Sequence, residues 1–221
     1  DRLAFSCLCE LDKQGNITEY KFAKTVIRSR VKGVYSEINS LLAGSDDAEL
    51  KEKYAEVSGQ LPIIKELADI LYKNKKNRGC PELETSESKL IINDEDICVG
   101  VERRTRGRSE EIIEDFMLVA NECAARFGMD NNLPFVYRIH EEPSDEKLES
   151  LREALVKLNV QYKLGEKACP GDMSEILKAA KGTDIDLIMN NIVLRSMSKA
   201  RYSTEPVGHF GLALEDYAHF T

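Results

Sequence analysis

SEEIIEDFMLVANECAARFG, residues 109–128, is the stretch that organises the rest of this chain. Ile112, Ile113, Phe116, Met117, Ala120, Cys123, Ala124 and Phe127 recur at helical spacing, the signature of a helix with one face turned to a core. Ser109 is placed to cap it, Glu110 and Glu111 suit the positive end of its dipole, and Gly128 is the expected stop. Glu114 and Asn121 lie seven residues apart, nearly two turns, and so share a stripe. Polar residues beside an apolar face suit either solvent or the wall of a pocket.

Upstream, Arg2 to Leu11 and Ile17 to Arg30 alternate around the turn sequence Asp12-Lys13-Gln14-Gly15-Asn16 and read as a β-hairpin. Tyr35 to Leu42 reads as a short helix. Ala48 to Asn77 reads as a long helix that Pro62 breaks or kinks. Lys89 to Asn93 and Ile97 to Arg103 read as two strands about a polar turn. Downstream come a strand, Phe135 to His140, and a helix from Pro143-Ser144 with Leu148, Leu151, Leu155 and Leu158 on one side. Met173 to Lys181 is a further helix, and Asp184 to Lys199 one that its composition marks as nearly buried. There is no internal repeat. The order predicts a mixed α/β domain, its helices packed around a sheet of mostly antiparallel strands.

The chain has 221 residues and a net charge of −8. Residues 1–108 carry 19 Lys+Arg and 19 Asp+Glu, which cancel; residues 109–221 carry 12 and 20, giving 12 − 20 = −8. That balance argues against non-specific nucleic-acid binding but leaves room for a local channel. No apolar run is long enough to cross a membrane. The chain opens at Asp1 with no basic, apolar leader and stops abruptly at Thr221, and so reads as an internal piece of a longer protein. The six cysteines contain no Cys-x2-Cys pair; they read as reduced, buried and inert, as in a cytoplasmic protein. Asp94 and Asp96 fit a solvated turn, and Asp184 and Asp186 a helix start, better than a metal site. Lys73, Lys75, Lys76 and Arg78 read either as cations at a helix C-terminus before Gly79 or as a phosphate-contacting edge. No phosphate loop, dinucleotide fingerprint, zinc motif or nucleophile elbow is present. The residues alone stop at a soluble intracellular α/β domain.

Four segments say more. GHFGLALEDYAHFT (208–221) is similar to the segment that runs into the Ser-Pro-Ile-Arg-Arg-Tyr motif of the RNB family, that of ribonuclease R and ribonuclease II. IIEDFMLVANECAARF (112–127) resembles that family's central helix, FVYRIHEEPS (135–144) its Arg-x-His-x-x-Pro strand, and DRLAFSCLCELDKQGNI (1–17) the strand pair after its metal-binding loop. The resemblance covers the whole chain, in family order. It implies an RNB-type catalytic core over residues 1–221. The aspartate loop for Mg²⁺ would lie upstream and the catalytic arginine four residues past Thr221, so that no catalytic or metal-binding residue falls within the chain and the piece alone is inactive.

The implied activity is processive 3′-to-5′ hydrolysis of single-stranded RNA to nucleoside 5′-monophosphates. The implied partner is an RNA 3′ end in the cytoplasm, with no membrane and no stable protein partner. Two alternatives stay open: a non-catalytic RNA-binding member of the family, and a structural or interaction module on the same fold. By the resemblance, Tyr35 contacts the 3′-terminal nucleotides and Glu114 lines the pocket near the terminal ribose. Leu83 falls where some relatives carry a base-stacking phenylalanine. Asn121, Arg138, His140, His209, Tyr217 and His219 sit in the family's motifs as framework or RNA contacts. Arg195 and Arg201 are candidate phosphate contacts or surface ion pairs.

Overall fold

In the computed structural model, which describes residues 1–83, 87–104 and 106–221, the expected mixed α/β class and antiparallel pairing are both found. β1 (Arg2–Leu11) and β2 (Ile17–Ile27) form the opening hairpin, tied by the Asp12 side chain, which accepts from the backbone N–H groups of Gln14 and Asn16. α1 (Tyr35–Leu42) and the short α2 (Ala48–Lys53) follow. Then come α3 (Leu61–Asn77), the ribbon β3 (Glu87–Ile92) with β4 (Cys98–Arg104), and α4 (Arg108–Asp130). The remainder is β5 (Tyr137–Ile139), α5 (Asp145–Lys157), α6 (Pro170–Ala180), α7 (Asp186–Ser196) and β6 (Arg201–Ser203), which pairs with β5. The strands make three separate two-stranded ribbons.

Two compact units emerge. The larger comprises Asp1–Arg28, Glu66–Leu83 and Asp115–Thr221; the smaller comprises Ser29–Lys65 and Glu84–Glu114. The larger has two apolar centres. In one, Leu148, Leu151 and Leu155 of α5 meet Met173, Ile176 and Leu177 of α6, Met189 and Val193 of α7, and Phe210. Truncating any one of the three leucines to alanine would cost about 2–5 kcal/mol, more than any surface ion pair nearby contributes. In the other, Ala124 and Ala125 of α4 pack on Tyr137, Ile139 and Ala218, beside an aromatic group in which Phe22 lies 5.0 Å from Phe220 and 5.4 Å from Phe127. In the smaller unit the buried Tyr54 hydroxyl accepts from the Val34 N–H at 3.1 Å and donates to the Glu37 carboxylate.

Several local expectations need correcting. The stretch from Ala48 to Asn77 is broken rather than kinked: α2 ends at Lys53, a 3₁₀ turn (Ser58–Gln60) precedes α3, and Pro62 occupies the first turn of α3, where no intrahelical bond is lost. Ser109 is not the cap of α4. It lies inside the helix, where its N–H donates to Asn39 Oδ1 at 2.8 Å and its hydroxyl to the Tyr35 carbonyl at 3.0 Å. The cap therefore comes from another helix, out of reach of a local rule. α7 is not nearly buried: it covers Met189, Asn190 and Val193 but shows Leu187, Ile188 and Leu194 to solvent. Cys98 and Cys169 are exposed rather than buried.

Two glycines act by close approach. Gly128 does not end α4, which runs on to Asp130 with Asn132 taking the left-handed turn at φ 49°. A β-carbon at Gly128 would stand 2.7 Å from Cγ of Phe135. At Gly79, φ is +81° and a β-carbon would fall 2.9 Å from Cα of Gly171, at the start of α6. Replacing a helical glycine by alanine ordinarily stabilises by about 1 kcal/mol. Gly128→Ala should instead destabilise, by about 1–3 kcal/mol from overpacking. A lower midpoint in urea unfolding checks this, and a raised midpoint would show that the Phe135 ring can give way.

Candidate functional site

The residues singled out by sequence fall into both units. In the smaller unit Tyr35 opens α1 and is 46% exposed, and its backbone carbonyl accepts from the Ser109 hydroxyl. Glu114 is partly exposed and forms an ion pair with Arg106. Asn39 serves both helices, donating to Glu110 Oε2 at 3.1 Å while accepting from Ser109. It fixes the start of α4 against the start of α1, and with it the two segments that carry Tyr35 and Glu114.

In the larger unit most of the singled-out residues belong to one buried polar lattice. Asn121 is 1% exposed. Its Nδ2 donates to the Tyr217 hydroxyl at 2.9 Å, and its Oδ1 accepts from the N–H groups of Phe220 (2.8 Å) and Thr221 (2.9 Å) and from the Thr221 hydroxyl (3.1 Å). The Tyr217 carbonyl accepts from the Arg138 N–H at 2.9 Å. His140 reaches the same segment from β5. Its N–H donates to the Gly208 carbonyl, its carbonyl accepts from Phe210, and its Nδ1 accepts from the Gly211 N–H at 3.0 Å. A β-carbon at Gly211 would stand 2.6 Å from that nitrogen, so this contact needs glycine. Accepting at Nδ1 places the ring proton of neutral His140 on Nε2.

His209 packs edge-on to both His140 and Tyr217, each with ring centroids 5.1 Å away. His140 Nε2 and His209 Nδ1 are buried without a hydrogen-bond partner. Burial, reinforced at His209 by the neighbouring His140, holds both rings neutral: His140 lies below the ordinary histidine value, and His209 falls to about 4. Arg138 and His219 are at the surface of the same region, on either side of Tyr202. Leu83 lies half-buried against the helical core. Arg201 is an ion pair with Glu141 at 2.9 Å.

A cavity of about 650 Å³ in the larger unit was not foreseen; Lys75, Arg78, Asp115, Glu122, Arg126 and Asp216 are among its lining residues. The cations at the end of α3 were visible in sequence, and here they face acids of α4: Lys75 is 3.8 Å from Asp115 and Arg78 is 3.9 Å from Glu122. Burial, with Glu215 beside it, raises the Asp216 carboxyl above its ordinary value. Among the described residues no group of three or more His, Cys, Asp or Glu is placed to hold a metal ion, and no helix is long and apolar enough to cross a membrane.

A buried polar lattice and an ion-lined cavity are set in the larger unit of a mixed α/β fold, and the RNB domain model matches residues 1–221: the chain belongs to the RNB domain family. Ribonuclease R 1 of Lactococcus lactis is 36% identical over 225 residues, covering 100% of this chain and 27% of its own. Ribonuclease R of Escherichia coli is 35% identical, with coverage of 100% and 27%. Ribonuclease R of Mycoplasma genitalium, solved in complex with ribose-methylated single-stranded RNA, superposes with a TM-score of 0.91 at 26% identity, over 100% of this chain and 34% of that one. The chain thus spans about a third or less of the length of these relatives.

Asn121→Ala would strand the Phe220 and Thr221 donors. A buried donor left unsatisfied costs about 1–3 kcal/mol, and Phe220 is the less exposed of the two, so a loss of about 1–3 kcal/mol is expected in urea unfolding. Tyr217→Phe removes one hydrogen bond and should cost about 1 kcal/mol. The histidines give a pH signature. An unfolded chain binds protons at His140 and His209 that the folded chain refuses, so acid favours unfolding. Their contribution should be intact above the ordinary value of 6.5 and lost progressively as pH falls toward about 4. His209→Gln should flatten that part of the profile of unfolding free energy against pH; an unchanged slope would show that His209 is not the group responsible.

Proposed function

We propose that this chain is part of a 3′-to-5′ exoribonuclease that hydrolyses single-stranded RNA processively to nucleoside 5′-monophosphates with Mg²⁺. The observation that carries the reading is the match of an RNA-bound ribonuclease R along the whole chain. The described residues do not fit a Mg²⁺ site, and the reading assigns the metal ligands and the catalytic arginine to residues outside the chain. What these residues contribute is contact with RNA.

Tyr35 presents an exposed phenol at a helix start, suited to stack on a base or donate to a phosphate. Glu114, partly exposed beside Arg106, offers a carboxylate that can accept from a ribose hydroxyl and so favour RNA over DNA. The lattice of Asn121, His140, His209 and Tyr217 acts as framework, because it is largely shut away from solvent, with Asn121 bonded to Tyr217 and to the backbone of Phe220, and His140 to the backbone of Gly211. A cytoplasmic setting belongs to the same reading and is supported by six free cysteines.

The test is a 5′-labelled single-stranded RNA incubated with the full-length protein and Mg²⁺. A descending ladder is expected, and an RNA left at full length under conditions where it binds would overturn hydrolysis in favour of binding alone. Tyr35→Ala should weaken RNA binding about tenfold, the scale of one stacked base. Glu114→Ala should narrow the preference for RNA over DNA of the same sequence.

A further inference from the structure

β6 places Tyr202 directly opposite Arg138 of β5. The Arg138 guanidinium carbon lies 4.8 Å from the centroid of the Tyr202 ring, and the Tyr202 hydroxyl is 3.2 Å from His219 Nδ1. The ring is therefore held at two points, yet it remains 57% exposed. Such exposure forgoes much of the stabilisation an aromatic side chain gains from burial. Arg138 differs from its neighbour Arg201: Arg201 is neutralised by Glu141 at 2.9 Å, whereas Arg138 has no carboxylate partner among the described residues. An unneutralised guanidinium stacked on an oriented, open aromatic ring, with an exposed imidazole at the ring's far end, is the chemistry that takes a planar base and the phosphate beside it.

We infer that Tyr202 is a stacking station for one base of single-stranded RNA, with Arg138 and His219 placed for the adjoining phosphate. This rests on the RNA-directed reading of the chain and adds to it a residue that the family motifs did not single out. The Arg138 guanidinium lies over one face of the ring, and the base would stack on the opposite face. The station is tolerant of sequence, since every base has a π-face.

The experiment uses the full-length protein in EDTA, to prevent cleavage, and fluorescein-labelled oligoadenylate followed by anisotropy. Tyr202→Leu should bind about tenfold more weakly, the scale of one lost stack, while Tyr202→Phe, which keeps the ring, should bind nearly as the unaltered protein. An oligonucleotide with a single abasic site moved along its length should lose affinity at one position for the unaltered protein and not for Tyr202→Leu. Cross-linking of 5-iodouridine RNA needs no variant: adducts mapped to Tyr202 support the station, and adducts only elsewhere overturn it. Equal binding by Tyr202→Leu, with the same abasic profile, overturns the station and leaves the RNA reading standing. If the unaltered protein neither binds nor shortens RNA, the exoribonuclease reading itself falls.

Discussion

One amide organises the larger unit. Asn121 sits in the middle of α4 with no access to water, and all the donors and acceptors it meets come from residues 217–221. A buried amide must satisfy its polar atoms inside the protein, and here a single side chain does so by fixing the path of a segment nearly a hundred residues away in sequence. The rest follows from that fixed path. Tyr217 receives β5 through the Arg138 N–H, and β5 in turn sets His140 against Gly208, Phe210 and Gly211. Phe220 joins Phe5 and Phe22 of the opening hairpin. Remove the amide, and the terminal segment, β5 and the hairpin lose their common reference.

Polar and apolar contributions divide the work. The helical core of α5, α6 and α7 supplies most of the cohesion, because each fully buried leucine or methionine contributes about 1.5–3 kcal/mol. The many surface ion pairs, such as Lys157 with Glu153 and Lys178 with Glu175, contribute a fraction of that each. The buried lattice around Asn121 adds little net energy but excludes alternatives, since any other packing strands several donors at once. Many of the acids lie in exposed ion pairs, such as Glu141 with Arg201, while Arg138 has no carboxylate partner among the described residues.

How much of this was legible in the sequence depended on range. Elements set by local pattern were read to within a few residues: both strands of the opening hairpin, α1, and α4 with its apolar face. Features set by contact at a distance were misread. Ser109 has the chemistry of a cap, but the cap is Asn39, 70 residues away. Gly128 has the chemistry of a stop, but it makes room for Phe135. β6 is three residues long and exists because β5 lies beside it; no period can emerge over so short a run. For the candidate site, motif resemblance brought out most of the lattice residues without distinguishing framework from contact. Burial and hydrogen bonding set Asn121 and Tyr217 inward and leave Tyr35 and His219 exposed. Tyr202 carried no sequence signal beyond being aromatic.

The meeting of Gly79 and Gly171 has an evolutionary consequence. Asparagine is the usual understudy for glycine in a left-handed turn, and by backbone angle alone position 79 would admit it. The neighbouring backbone removes that option, because a β-carbon at 79 would stand 2.9 Å from the Gly171 α-carbon and 3.1 Å from its nitrogen. No single step at 171 makes room for a side chain at 79, glycine already being the smallest residue there is, whereas a β-carbon at 171 itself would meet nothing nearer than Cys169 Sγ at 3.5 Å, an ordinary contact. The constraint therefore rests on position 79 alone, and a chain that lost glycine there would have to rebuild the junction between α3 and α6 rather than repair it.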